Sequence, residues 1–337
     1  MSYENRKNYI DLSKGIGITL VIIGHLNQDI FQSAKGLISV IYTFHMPLFF
    51  LLSGILFNKD VELKQFFNKK AKSLLVPYYI FTILFMSKTA LPLLFNLLTG
   101  DKEVSKELIG LIISRFIIGE GLWFLPCLFT TSILFYSLCR TIKKDKYIVA
   151  TSCLLAFIGF ELVKSGIDRL PFQFSQSLIY LLYFSLGYYS CERIKDMTKC
   201  YRLKCIGLCG LWSAFNALNL ILFGKIRSYD SALIFLLAPL FASLAIVLFA
   251  RNIHNYNNLF GKIVLYLGRN SLIFYILHGF ILNVTTNILY RIASNNLVWA
   301  LGIEIIIAVS SILITMIIVY LINEIFIKRN QWILGRF

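Results

Sequence analysis

Lys14 and His25 stand eleven positions apart in one apolar segment, with only small, β-branched and aliphatic residues between them. Eleven residues advance a helix by roughly 16 Å and return the side chain to within about 20° of the same face. Asp11 precedes them on roughly that face. A histidine titrates near neutrality, so it can take a proton from a hydroxyl and return one to a leaving group. A lysine can hold a phosphate or pair with Asp11. The chemistry these residues could do is general acid–base work at a hydroxyl, with His25 as base and an anionic ligand held near Lys14. The competing readings are an interfacial anchor for Lys14, its ammonium snorkelling to the headgroups, and a helix-packing hydrogen bond for His25. Ionisable groups inside a bilayer are costly and usually functional, which favours the chemical reading.

Further side chains can join this pair. His45 lies in FHMPLFFLLSG (44–54) with Pro47 and Ser53, and His278 in GRNSLIFYILHG (268–279) with Arg269, Asn270 and Ser271. Depths counted along the helices put His25, His45 and His278 in the middle-to-outer part of the bilayer. They converge if their three spans are neighbours, to orient an acceptor or stabilise an oxyanion. Arg269 and Lys14 both fall near the cytoplasmic side, where they can clasp an anionic ligand, with Ser271 beside them. Glu120 and Trp123, with Arg115 nearby, sit at an outer helix end, where a carboxylate and an indole can contact a sugar; interfacial anchoring is the alternative for Trp123. The fourth histidine, His254, reads as a solvated loop residue.

The elements that must position these groups follow from hydropathy. Of 337 residues 58% are hydrophobic and 15% charged, and mean hydropathy is +0.73; soluble domains carry roughly 25% charge. Windows long enough to cross about 30 Å of hydrocarbon run over 12–31, 37–57, 74–98, 122–139, 147–164, 177–191, 206–223, 231–250, 263–286 and 297–326. The run 106–119, interrupted by Arg115, reads as interfacial or re-entrant. The expected fold is an all-α integral membrane protein of about ten transmembrane helices, forming a single polytopic domain over 1–337. With the N-terminus inside, 22 lysines and arginines fall in cytoplasmic segments and nine outside, which places both termini in the cytoplasm. Prolines 47, 77, 92, 126 and 239 are expected to kink helices around interior space. No removable signal peptide is expected, because the first apolar run lacks a small-residue cleavage site.

Other function classes find little support. The net charge of +16 reflects basic loops between spans, and no basic, aromatic-interleaved soluble face suggests nucleic acid. Seven scattered cysteines, Cys200 among them, form no C-x2-C pair and have no histidine at zinc spacing, so no metal is expected. The sequence has no G-x-S-x-G, H-E-x-x-H or Walker glycine loop. A multispan transporter or flippase of a small molecule or lipid-linked sugar remains an alternative, as does a non-catalytic scaffold.

DLSKGIGITLVIIGH (11–25), FHMPLFFLLSG (44–54), KKAKSLLVPYYIF (69–81), LWFLPCLF (122–129) and GRNSLIFYILH (268–278) together resemble the membrane acyltransferase-3 family, closest to its fucose 4-O-acetylase-like branch. The resemblance implies a ten-span, multi-pass enzyme of the bacterial plasma membrane. It implies transfer of an acetyl group from cytoplasmic acetyl-CoA, as co-substrate, to a hydroxyl of a cell-surface or exported glycan. The family's basic-x10-His motif falls on Lys14 and His25; many members carry arginine where this chain has Lys14. In that picture the CoA phosphates lie near Lys14, Arg269 and the basic loop 59–72 with Lys69 and Lys70. The partners are then acetyl-CoA, a carbohydrate and membrane lipid.

Overall fold

The computed structural model describes residues 3–98, 103–196, 201–226, 229–253, 258–296 and 301–336. His254 and Cys200 lie outside them. Among the described residues there is no β-strand, as expected for apolar stretches whose backbone groups must be satisfied within the segment. The helices are α1 (Tyr3–Gly24), α2 (Lys35–Tyr42), α3 (His45–Ile55), α4 (Leu63–Lys70), α5 (Val76–Leu98), α6 (Glu103–Ile112), α7 (Phe124–Thr141), α8 (Asp145–Lys164), α9 (Phe174–Asp196), α10 (Tyr201–Phe223), α11 (Ala232–Asn252), α12 (Leu259–Arg269), α13 (Ser271–Asn296) and α14 (Leu301–Ile325). Among the described residues seven helical stretches are long and apolar enough to cross a membrane.

Each hydropathy window overlaps helix among the described residues, but three are built differently from a single span. The first helix starts earlier than 12–31 and stops at Gly24, leaving His25 on the turn that follows. The second window is broken at Thr43–Phe44, between α2 and α3. The ninth is two helices separated at Asn270. α12, eleven residues long, is roughly 16 Å in length and too short to cross; the long element is α13. His278 is therefore seven residues into α13, roughly 10 Å from its start, and not fifteen residues along one helix over the window 263–286. The stretch 103–118 is α6 followed by a π-turn (Ile113–Ile118).

The prolines also depart from expectation. Pro47 and Pro126 occupy the first turns of α3 and α7, where the missing N–H has no helical partner to lose. Pro77 follows a π-turn over Ala71–Leu75 that joins α4 to α5. Pro239, inside α11, is a true interior proline.

The chain forms two compact units, residues 1–55 with 189–328, and residues 56–188 with 329–337. In the first, Leu12, Ala250, Val264 and Leu265 pack α1, α11 and α12 together. In the second, Phe57, Phe66, Phe135, Tyr136, Phe184 and Tyr188 form an aromatic core, Phe66 stacking on Tyr136 at 4.7 Å. The Tyr136 hydroxyl donates to the Val61 carbonyl at 2.9 Å.

Candidate functional site

In the first unit the site is built on a backbone-to-backbone contact between α1 and α12. A Cβ at Gly268 would overlap the carbonyl oxygen of Asp11, and one at Gly15 would overlap that of Val264. Small residues at such positions let helices approach closely where no hydrophobic force drives them together. The pairing of Gly15 with Val264, of Asp11 with Gly268 and of Asn8 with Arg269 makes α12 antiparallel to α1. The chain turns back at Asn270, so α13 runs alongside α1 again.

The glycine contact places Arg269 against the start of α1. Its Nε lies 3.5 Å from Asp11 Oδ2, and its Nη2 donates to Asn8 Oδ1 at 3.2 Å. The Arg269 side chain is 59% exposed and that of Asp11 19%, so Asp11 holds a guanidinium whose outer edge still faces solvent. Lys14, half-buried, is one turn further along α1. Arg251 is buried at the end of α11, its guanidinium 5.9 Å from the Tyr9 ring.

At the other end of α1, the histidines come together. The His25 and His278 rings meet edge to face, with centroids 4.6 Å apart and planes at 85°. Tyr42 lies 6.0 Å from His25 and 5.2 Å from His45, so His45 joins the cluster through it. His45 and His278 are buried, whereas His25 is exposed. All three rings direct Nδ1 at a backbone carbonyl one turn back: His25 at Val21 (2.8 Å), His45 at Ile41 (2.9 Å), and His278 at Phe274 (3.1 Å) and Tyr275 (2.7 Å). A carbonyl only accepts, so Nδ1 carries the hydrogen and the neutral ring presents its lone pair at Nε2. His25 therefore offers a base at an exposed position, held by its own helix. His278 Nε2 is buried with no hydrogen-bond partner among the described residues.

Residues that hydropathy did not single out hold the breaks on either side of the cluster. Trp212 Nε1 donates to Thr43 Oγ1 at 3.2 Å and its ring meets Phe44 at 5.4 Å, fixing the turn before His45. Asn270 caps α13: its carbonyl accepts from Ile273, its Nδ2 donates to the Tyr266 carbonyl at 2.9 Å, and its Oδ1 accepts from buried Asn323 at 3.2 Å. The Tyr266 hydroxyl donates to Glu324 at 2.6 Å, and Lys328 pairs with the same oxygen at 2.6 Å. Ser271, half-buried, opens α13. Beyond His25, buried Glu304 accepts from Ser33 N–H (3.0 Å) and hydroxyl (2.7 Å), tying down the loop between α1 and α2.

The remaining sequence-predicted residues belong to the second unit. Glu120 sits between two glycines in left-handed conformation, Gly119 and Gly121, each with φ +94°. Its carboxylate accepts from the Ser114 hydroxyl and lies 3.4 Å from Arg169 Nε. Arg115 packs against Gly121, where a side chain would meet its guanidinium. Trp123 lies 5.8 Å from the Tyr180 ring, tilted by 31°. Lys69 is exposed at the end of α4, and Lys70 lies 5.8 Å from the Phe66 ring. Among the described residues no group of three or more metal-ligating side chains converges.

The model of the acyltransferase-3 family, described as an acyltransferase domain, matches residues 7–324. The chain belongs to this family. Family membership and the apolar helices together make this acyltransferase-3 chain a multi-pass membrane protein. It is 32% identical over 162 residues to nodulation protein NolL of Mesorhizobium japonicum, covering 45% of this chain and 41% of the relative. It is 34% identical over 118 residues to nodulation protein NolL of Sinorhizobium fredii, covering 32% of each. The chain thus spans less than half the length of the curated relatives it matches. No solved structure matches it.

Proposed function

We propose that this protein is an O-acyltransferase of the bacterial plasma membrane. It moves an acetyl group from cytoplasmic acetyl-CoA to a hydroxyl of a cell-surface or exported glycan. In this reading the chain works as one polytopic domain with about ten spans and both termini in the cytoplasm. The observation that carries the reading is His25: an exposed imidazole whose Nδ1 hydrogen is committed to Val21, leaving Nε2 as a base.

The acceptor hydroxyl gives its proton to His25 Nε2 as its oxygen attacks the thioester carbonyl. The tetrahedral adduct then collapses, breaking the carbon–sulfur bond. The CoA thiolate leaves and takes the proton from the imidazolium, so the products are an O-acetyl ester, free thiol and neutral His25. Lys14 and Arg269 attract the donor's phosphates at the opposite end of α1, and Asp11 holds the Arg269 fork. In the second unit, Glu120 with the Trp123–Tyr180 pair offers the carboxylate and aromatic surface that suit a sugar.

The test is release of CoA thiol, and formation of the acetyl ester, by purified protein given acetyl-CoA and glycan acceptors. His25→Gln should lower the rate by about 10²–10⁴-fold. A folded variant working at the parental rate removes His25 as the base. Gradient-driven uptake without thiol release would support the transporter reading instead.

A further inference from the structure

The His25–His278 pair contains an asymmetry that the transfer step does not use. His25 is exposed, and its Nε2 has a task in the proposed reaction. His278 is 4% exposed, its ring lies edge to face with His25 at 4.6 Å, and its Nε2 is buried without a partner among the described residues. A buried polar atom left unsatisfied costs free energy and calls for an explanation. Its Nδ1 hydrogen is taken by the Phe274 and Tyr275 carbonyls, so Nε2 can only accept. What completes it must bring an N–H or O–H donor. An oxyanion or the thioester carbonyl cannot, because both are acceptors.

We infer that His278 reads a second hydroxyl of the acceptor, so that the acceptor is a diol with one hydroxyl on His25 and a neighbouring one on His278. This rests on the acyl-transfer reading above. With the two rings in contact, centroids 4.6 Å apart, hydroxyls held by both belong to one sugar. His278 then orients the sugar so that the hydroxyl beside it faces the base, and selects which hydroxyl is acylated. Of the two roles expected for His278, orienting the acceptor and stabilising an oxyanion, the tautomer favours the first.

The experiment compares methyl glycosides with their monodeoxy analogues as acceptors for acetyl-CoA, reading thiol release and the position of the ester. Wild type should prefer a parent glycoside over one monodeoxy analogue, lacking a hydroxyl next to the acetylated carbon, by on the order of 10² or more in kcat/KM. His278→Phe should bring the parent down to that analogue and leave the analogue nearly unchanged. His278→Gln, whose amide oxygen can accept, should restore part of the preference and serves where the phenylalanine variant does not fold. Equal losses for parent and analogue in both variants would make His278 structural and overturn the inference, as would a wild type indifferent to every deoxygenation. Absence of thiol release with all glycosides overturns the acyl-transfer reading itself.

Discussion

Gly268→Ala tests the contact on which the donor end of the site is built. The added Cβ would overlap the Asp11 carbonyl oxygen, approach its carbon to 2.6 Å and Gly15 N to 3.0 Å. All three atoms are backbone, so no side chain can swing aside. Carbon atoms pack at about 3.5–4.0 Å, so α1 and α12 must separate by roughly 1 Å. Overpacking of this kind costs about 1–3 kcal/mol, although alanine is intrinsically the better helix former by about 1 kcal/mol. The same displacement moves Arg269 from Asp11, so binding of the donor should weaken by up to the several-fold expected from losing the Arg269 charge itself. The matched control is Gly279→Ala, one residue from His278, where a Cβ meets nothing within 4 Å. Thermal unfolding of detergent-purified protein and thiol release from acetyl-CoA should show Gly268→Ala destabilised and slow. Gly279→Ala should be as stable as the parent or more so, and as fast. Parental stability and rate in Gly268→Ala would refute the close α1–α12 contact and the donor geometry drawn from it.

Arg269→Gln should raise KM for acetyl-CoA several-fold with kcat little changed, and the difference from wild type should shrink at high salt, because Arg269 is mostly exposed; the same donor titration on Lys69→Gln and Lys70→Gln reads whether their charge contributes. Glu120→Gln should weaken the acceptor, seen as a higher acceptor KM, while the melting temperature stays within error, since Arg169 is exposed, Glu120 is only half-buried, and such a pair is worth about 0–1 kcal/mol. Trp212→Phe keeps the ring against Phe44 but loses the bond to Thr43; unfolding should show about 0.5–1.5 kcal/mol of destabilisation.

The sequence exposes the apolar windows because crossing hydrocarbon demands long runs of uncharged side chains, and each window overlaps helix among the described residues. It does not expose the breaks at Thr43 and Asn270. Thr43 lies in an apolar stretch, whereas Asn270 lies in the polar run 268–271 that the window 263–286 carries straight through; what holds each break is a tertiary partner: Trp212 from α10 in one case, Asn323 from α14 in the other. The glycines at 15 and 268 were visible as residues, and the quoted motifs contain them. That they face each other, and that α12 doubles back along α1, depends on a pairing 253 positions apart, which no local pattern encodes.

The chemistry divides along the same line. The periodicity of one helix is enough to put Asp11, Lys14 and His25 on a common face, because helix geometry is local. Which histidine meets His25, which one stays exposed, and which nitrogen of each ring is left to act were decided by the fold. The neighbours of α1 set the burial, and the backbone carbonyl one turn back on each helix takes the Nδ1 hydrogen. A sequence names the ionisable groups; packing determines whether each nitrogen is a donor or an acceptor and what it faces.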